Sequence, residues 1–444
     1  VAMRHAGFEV SGQDSGVYPP MSDVLASHGI EISGGYEAER LPKNVDFFVV
    51  GNAISRGNEA LEEILNRKAL YYSLPEALKQ FFLRGRHNLV VTGTHGKTTT
   101  TSMLAWVMES AGLSPGWLVG GVPNDLPSGA NLRDSNFFVI EGDEYDTAFF
   151  DKRSKFLHYL PELVIINNIE FDHADIYSSL EEIQLSFRRL VGIIPSEGMV
   201  LVNADDPNAV AVVNNAPCEV VEVGFSPNAS HHITDISQDP QGSSFRLLGQ
   251  DFRISMHGEF NIRNAAMAAS ASHFYGVPLK KAAEALQAFQ GIRRRQEVRG
   301  IERGITVIDD FGHHPTAIRQ TLEGVKARYP DSRVWAIFEP RSNTTRRSVF
   351  QERFPKAFEP AHGVFFAQVA RLEQIPAEQR LQPEKVIEDI KQAGKVAVYA
   401  PDASEIINQL TPQLASGDIV VVFSNGGFDN IHDRLLEAIR GQAS

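Results

Sequence analysis

Seven consecutive residues, Gly93-Thr94-His95-Gly96-Lys97-Thr98-Thr99, have the makeup of a loop that grips polyphosphate. Glycines let successive backbone N–H groups close around an anion, and a helix N-terminus adds donors and a favourable dipole. In that geometry Lys97 reaches the β- and γ-phosphates and Thr98 ligates Mg2+. The apolar run before the loop and the helical pattern over 99–110 supply the strand–loop–helix context such a loop requires. The general pattern has a glycine where this chain has Val91, so a plain glycine-rich turn is the competing reading.

Two further segments end apolar runs in metal-competent side chains. Phe138-Val139-Ile140 leads into Glu141-Gly142-Asp143-Glu144-Tyr145-Asp146. An acidic group at the C-terminal edge of a strand, beside a phosphate loop, is placed to hold a cation. Glu141 fits best because it directly follows the apolar run. By spacing alone, Asp143, Glu144 and Asp146 read equally well as a solvated acidic loop. The second segment is Asn167-Asn168-Ile169-Glu170-Phe171-Asp172-His173-Ala174-Asp175. His173, flanked by acids at a strand end, reads as a metal ligand or as a structural histidine.

These residues need a scaffold. Apolar runs at 46–50, 88–92, 137–140, 163–167, 306–308, 334–338 and 419–423 are short, rich in β-branched or aromatic residues, and apolar on both faces. That is the signature of buried parallel strands joined by helical crossovers, here predicted at 178–191, 262–275 and 279–289. Alternating polarity over 232–256, with turns at 240–242 and 248–251, predicts a small antiparallel meander. Boundaries near 84–87 and 290–299 divide the chain into three α/β units, 1–85, 86–297 and 298–444. A chain of 444 residues, 43% hydrophobic and 22% charged, has the size and composition for several globular cores. A net charge of −13 argues against nucleic-acid partners. No apolar run reaches the ~18 residues of a membrane span. The single cysteine, Cys218, excludes a disulfide framework and fits a reducing, cytoplasmic setting. His231-His232 lacks a nearby acid and reads as surface.

In this order along the chain, the three motifs resemble those of the Mur ligases. Gly258-Glu259-Phe260-Asn261-Ile262-Arg263-Asn264-Ala265, the pair Arg294-Arg295, and Asp309-Asp310-Phe311-Gly312-His313-His314-Pro315-Thr316 extend the resemblance over nearly the whole sequence. It implies an α/β fold of three domains: a Rossmann-like N-terminal domain, a central P-loop NTPase-like parallel sheet carrying the meander, and a Rossmann-like C-terminal domain. It also implies an ATP-dependent carboxylate–amine ligase that works through an acyl phosphate. Gly93, Thr94, His95, Gly96, Lys97, Thr98 and Thr99 would hold the ATP phosphates, Asn264 and Arg295 the adenine, and Asp310 the ribose. Thr98 and Glu141 would hold one Mg2+ and His173 a second. Lys97, His173 and His313 would act on the transferring phosphoryl group. The family's glycine loop for a UDP-sugar diphosphate lies outside this sequence, which begins within the helix expected to follow it. Over 178–191 there is no lysine to serve as the carbamylated bridge of some branches.

Within the family, Val17-Tyr18-Pro19-Pro20-Met21, Gly51 through Asn58, Glu144 through Phe156, Glu339-Pro340-Arg341-Ser342-Asn343-Thr344 and Ser424-Asn425-Gly426-Gly427-Phe428 resemble the branch that recycles cell-wall peptide. That branch joins L-Ala-γ-D-Glu-meso-diaminopimelate to UDP-N-acetylmuramate. The nucleotide sugar would meet Asp14, Asn52, Ala53 and Ser55, and the peptide carboxylates would meet Arg341 and Asn343. Asp14 follows a strand where a ribose commonly binds, but it reads equally as a turn aspartate. The expected protein is a monomer or weak homo-oligomer with no nucleic-acid or membrane partner. Three rivals stand beside this reading: the branch that adds L-alanine to the same sugar, the folylpolyglutamate branch, and a P-loop nucleotide switch.

Overall fold

The computed structural model describes residues 1–17 and 21–441 of the chain; the motif residues Tyr18, Pro19 and Pro20 lie outside the described residues. At its centre is an eight-stranded sheet. From one edge it runs His231–His232, Glu219–Gly224, Met199–Asn203, Leu163–Ile166, His87–Thr92, Phe137–Glu141, Gly116–Leu118 and Ala130–Asn131. All neighbours are parallel except the last pair. The strands are apolar throughout because both faces are covered. Leu89, Val91, Leu163, Ile165 and Leu201 pack into one layer, and Val90, Val164, Ile166, Val200 and Val202 into the other. The pair His231-His232 is no loose surface segment. It forms the edge strand, and His231 Nδ1 lies 2.9 Å from Ser270 Oγ.

Helix Lys97–Ser110 begins with Thr98-Thr99-Thr100-Thr101, residues of modest helix propensity. Tertiary packing overrides that preference. Thr101 and Ser102 return their hydroxyls to the carbonyls of Lys97 and Thr98 at 2.7 Å, so these buried groups are satisfied. The helix packs on Glu259–Phe274, whose Ala265, Ala266, Ala268, Ala269 and Ala271 are all buried and permit close approach. The meander is Thr234–Asp239, Gly242–Leu247 and Gln250–Ile254, paired antiparallel as expected.

The C-terminal domain has a six-stranded sheet in the order Glu297–Glu302, Ile305–Asp310, Ile419–Phe423, Val334–Phe338, Gly363–Ala367, Val396–Ala400. It is parallel apart from the first hairpin. In the N-terminal part, the parallel strands form two separate pairs, Ser11–Asp14 with Glu31–Gly34 and Phe48–Val50 with Tyr71–Ser73. Strands as short and polar as Ser-Gly-Gln-Asp have little apolar surface with which to extend a sheet. No helix among the described residues is long and apolar enough to cross a membrane.

Trp335 is 1% exposed in the C-terminal core, and its indole N–H donates to Asp418 Oδ2 at 3.2 Å. Trp335→Ala is expected to cost the C-terminal domain about 3–5 kcal/mol in chemical denaturation. Ile301→Ser, at a position 64% exposed, should stay within about 0.5 kcal/mol of the parent.

Candidate active site between the central and C-terminal domains

Strand His87–Thr92 ends where the loop begins. Val91, the residue that departs from the general phosphate-loop pattern, is still in the strand and registers with Ile165 and Glu141. The turn proper starts at Gly93, with φ of +124° and no room for a side chain: a Cβ there would lie 2.9 Å from the Asn168 backbone nitrogen. Gly96, at φ +81°, passes directly beside Asn264. Asn168 fastens the loop from the neighbouring strand end. Its backbone carbonyl accepts from Thr94 N–H at 3.0 Å, its Oδ1 accepts from His95 N–H at 2.8 Å, and its Nδ2 donates to His95 O at 3.1 Å.

Lys97 extends under the loop. Its ammonium donates to Gly93 O at 2.7 Å and to both oxygens of Glu144, at 2.9 and 3.1 Å. On the far side of Glu144, His173 Nε2 lies 2.9 Å from Oε1. Burial alone would raise the Glu144 pKa, but the charge of Lys97 and the contact from His173 outweigh it and hold the group at about 2. Burial works against charge on Lys97 and His173 too, and the carboxylates raise both above their ordinary values. Glu144 is 2% exposed, so it is no member of a solvated acidic loop. Tyr177 pins its backbone by donating its hydroxyl to Glu144 O at 2.6 Å. His173 itself sits at φ +55°, an uncommon conformation at which the ring stacks near Tyr145, centroids 4.2 Å apart.

Glu141 has a different environment. Thr98 donates its hydroxyl to Oε1 at 3.0 Å and Gly120 N–H donates to Oε2 at 2.7 Å. Burial raises its pKa against the opposing charge of Lys97. A carboxylate and a hydroxyl held together beside the phosphate loop, with burial disfavouring the uncompensated charge, have the donor chemistry for a hard cation such as Mg2+.

The C-terminal domain supplies the opposite wall. Asp310 is 4% exposed and accepts from Gln296 N–H at 3.0 Å and Gly312 N–H at 2.8 Å, which fixes the linker against the domain's first loop. Arg295 lies over the Phe311 ring and reaches Thr98 Oγ1 at 3.5 Å. His313 Nε2 is 3.9 Å from Asp172 Oδ2, and burial lowers its pKa, so the ring is neutral at pH 7. One cavity of about 210 Å3 is lined by Thr94, His95, Gly96, Lys97, Thr98, Thr99, Glu141, His173, Asn264, Arg295, Asp310 and His313. Its apolar end is Met256, Phe260 and Ala317.

The remaining sequence candidates lie outside these walls. Asp14, Asn52, Ala53 and Ser55 are exposed on loops that follow N-terminal strands, and Asp14 accepts from Gly16 N–H as a turn aspartate does. Asn343 Nδ2 donates to Asp175 Oδ2 at 2.8 Å across the domain boundary, while Arg341 pairs with Glu339. Sequence reasoning missed Glu144, Asn168 and Glu170 as parts of the site. Their partners are 47 to 183 residues distant along the chain, and no local pattern encodes such contacts.

A phosphate loop with buried acids at neighbouring strand ends, closed over by a second α/β domain, defines a nucleotide-dependent transferase or ligase architecture. Family models match the three parts in order: the Mur ligase family catalytic domain over residues 1–86, the Mur ligase middle domain over 91–272, and the Mur ligase glutamate ligase domain over 294–426. The chain belongs to the Mur ligase family. It is 40% identical over 444 residues to the Escherichia coli UDP-N-acetylmuramate–L-alanyl-γ-D-glutamyl-meso-2,6-diaminoheptandioate ligase, covering 99% of this chain and 95% of that one. It is 31% identical to a Clostridium acetobutylicum UDP-N-acetylmuramate–L-alanine ligase, over 97% of this chain and 92% of that one. The crystal structure of a Psychrobacter arcticus murein peptide ligase superimposes with a TM-score of 0.72 at 35% identity, covering 100% of this chain and 96% of that one.

Removing one partner of a buried charge cluster strands the others. Glu144→Gln is expected to destabilise the protein by about 3–5 kcal/mol at pH 7 in denaturant titration. A depressed pKa stabilises above the unfolded value and ceases to do so as the folded carboxylate protonates. The deficit of the variant should therefore shrink as pH falls from 4.5 towards about 2.

Proposed function

We propose that this protein is an ATP-dependent, ADP-forming ligase that joins the tripeptide L-Ala-γ-D-Glu-meso-diaminopimelate to UDP-N-acetylmuramate, as a step in peptidoglycan recycling. The observation that carries the reading is the Lys97–Glu144–His173 cluster beside Thr98 and Glu141, within a chain 40% identical over its length to a ligase named for those substrates. We assign residues 1–85 to the UDP-sugar, 86–297 to ATP and 298–444 to the peptide.

A carboxylate is a poor acyl donor because an oxide is a poor leaving group. Transfer of the γ-phosphoryl group of ATP to the muramyl carboxylate gives an acyl phosphate. The peptide amine then attacks, and phosphate leaves from the tetrahedral intermediate. The protein's work is positioning and charge neutralisation. Lys97 is set to neutralise the β- and γ-phosphates, with the glycine loop and the N-terminus of helix Lys97–Ser110 donating around them. Asn264 and Arg295 face the adenine end and Asp310 the ribose. His313, neutral and brought by the C-terminal domain, is placed to donate to the transferring phosphoryl group. Thr98 and Glu141 would hold Mg2+, and His173 with Glu144 a second ion. When bound, these ions neutralise phosphate charge and polarise the carboxylate. Asp14 and Asn52–Ser55 are assigned to the nucleotide sugar, and Arg341 with Asn343 to the peptide carboxylates. Closure of the C-terminal domain excludes water, which protects the acyl phosphate from hydrolysis.

The branch that adds L-alanine is the second reading, favoured by the 31% identity to an alanine ligase. Phosphate release from ATP, measured with UDP-N-acetylmuramate and amines from alanine to the tripeptide, separates the two. The expected result is release only when sugar and amine are both present, fastest with the tripeptide. Release without an amine would indicate a nucleotide switch, and preference for alanine would select the second reading. Lys97→Ala should lower coupled release by about 10³-fold or more.

A further inference from the structure

Glu170 lies on the segment that carries His173, but its side chain faces away from the Lys97 cluster. Its backbone is tied to the phosphate loop: its N–H donates to Thr94 Oγ1 at 2.9 Å, and that hydroxyl donates to Glu170 O at 3.2 Å. Its carboxylate crosses to the C-terminal domain. Oε2 accepts from Thr316 Oγ1 at 2.9 Å and from Arg353 Nη2 at 2.6 Å, and Arg353 also donates to Thr316 at 2.9 Å. Two imidazoles, one from each domain, complete the group. His95 Nε2 of the phosphate loop is 3.5 Å from Oε1, and His314 Nε2 is 3.8 Å from Oε2, with the two rings 4.5 Å apart. Both ring nitrogens are buried and make no closer hydrogen bond.

Two imidazoles and a carboxylate could also hold a transition metal. The tautomer of His314 opposes that. Its Nδ1 accepts from Thr316 N–H at 3.2 Å, capping the helix Pro315–Arg328. A neutral ring so engaged carries its proton on Nε2 and presents a donor, not a lone pair, to the interior. Burial keeps the ring neutral, its pKa down at about 3. Every group around the carboxylate is thus a donor. Burial would raise the Glu170 pKa, but His95, His314 and Arg353 together hold it well below the usual carboxylate range.

We propose that Glu170 is a positioning residue that couples closure of the C-terminal domain to the phosphate loop: Arg353, Thr316 and His314 engage one carboxylate whose backbone and His95 contact hold the loop in register. The inference rests on the ligase reading above. It places a closure sensor beside the nucleotide, apart from the Lys97–Glu144–His173 cluster. Catalysis that depends on closure is sensitive to the last ångström of placement, whereas binding of nucleotide to the central domain alone is not.

The test compares Glu170→Gln, Arg353→Met and the double variant in the ligation assay, with ATP·Mg2+ affinity measured separately by calorimetry. Each single variant should lower kcat roughly tenfold to a hundredfold, with the ATP dissociation constant within about threefold of the parent. The double variant should be no worse than the poorer single one, since both break one contact. Turnover within about twofold of the parent, multiplying effects, or ATP affinity falling in step with kcat would overturn the proposal. If Glu170→Gln does not fold, Arg353→Met decides alone by the same kcat and affinity criteria, because its side chain is 44% exposed. A melting temperature that rises with Zn2+ alone, and does so only while Glu170 is present, overturns it in favour of a cation site. If the parent chain itself does not ligate, the ligase reading fails. Coupling is then read by small-angle scattering with a non-hydrolysable ATP analogue: the parent compacts and Arg353→Met does not if the proposal holds, and equal compaction of both overturns it.

Discussion

A lysine ammonium buried beneath a phosphate loop is the constraint on which the rest of this structure turns. An isolated buried charge is too costly to keep, so Lys97 must have a carboxylate within reach, and Glu144 is that group. Glu144 reaches it because strand Phe137–Glu141 lies next to strand His87–Thr92 in the sheet, so that the loops leaving both strands emerge side by side. The parallel neighbour on the other side, Leu163–Ile166, delivers Asn168, Glu170 and His173 to the same edge. A parallel sheet gathers the chemistry because all its strands end on one side.

The central domain alone forms half a site. Asp310, Arg295, Phe311 and His313 come from the linker and the C-terminal domain, and they face the loop across a narrow cavity. The contacts that close this boundary are polar and largely charge-assisted: Arg353 to Glu170, Asn343 to Asp175, Thr344 Oγ1 to Ala174 N–H. Such a boundary opens at lower cost than an apolar one, as a site that must admit nucleotide and exclude water requires.

Much of this was legible in the sequence, for identifiable reasons. Strands such as Leu163–Ile166 and Ile419–Phe423 are apolar at every position because both faces are covered, and such runs announce themselves. The loop from Gly93 to Thr99 was legible because the backbone conformations at Gly93 and Gly96 restrict the residue types allowed there. Glu141 was legible from its place at the end of an apolar run. Glu144 and Glu170 were not, since a carboxylate on a loop is solvated or buried according to partners that arrive from elsewhere in the chain. The separate pairing of the N-terminal strands was equally hidden, because strands with mixed faces leave sheet continuity to tertiary packing.

The central claim is that nucleotide energy passes through a phosphorylated sugar acid held between these domains. UDP-N-acetylmuramate labelled with 18O in its lactyl carboxylate, turned over with ATP and the tripeptide, tests it most directly. Analysis of the released phosphate by mass spectrometry should find one label atom per phosphate, carried over when the acyl phosphate collapses. Phosphate free of label, with amide formed at the same rate, would contradict the account.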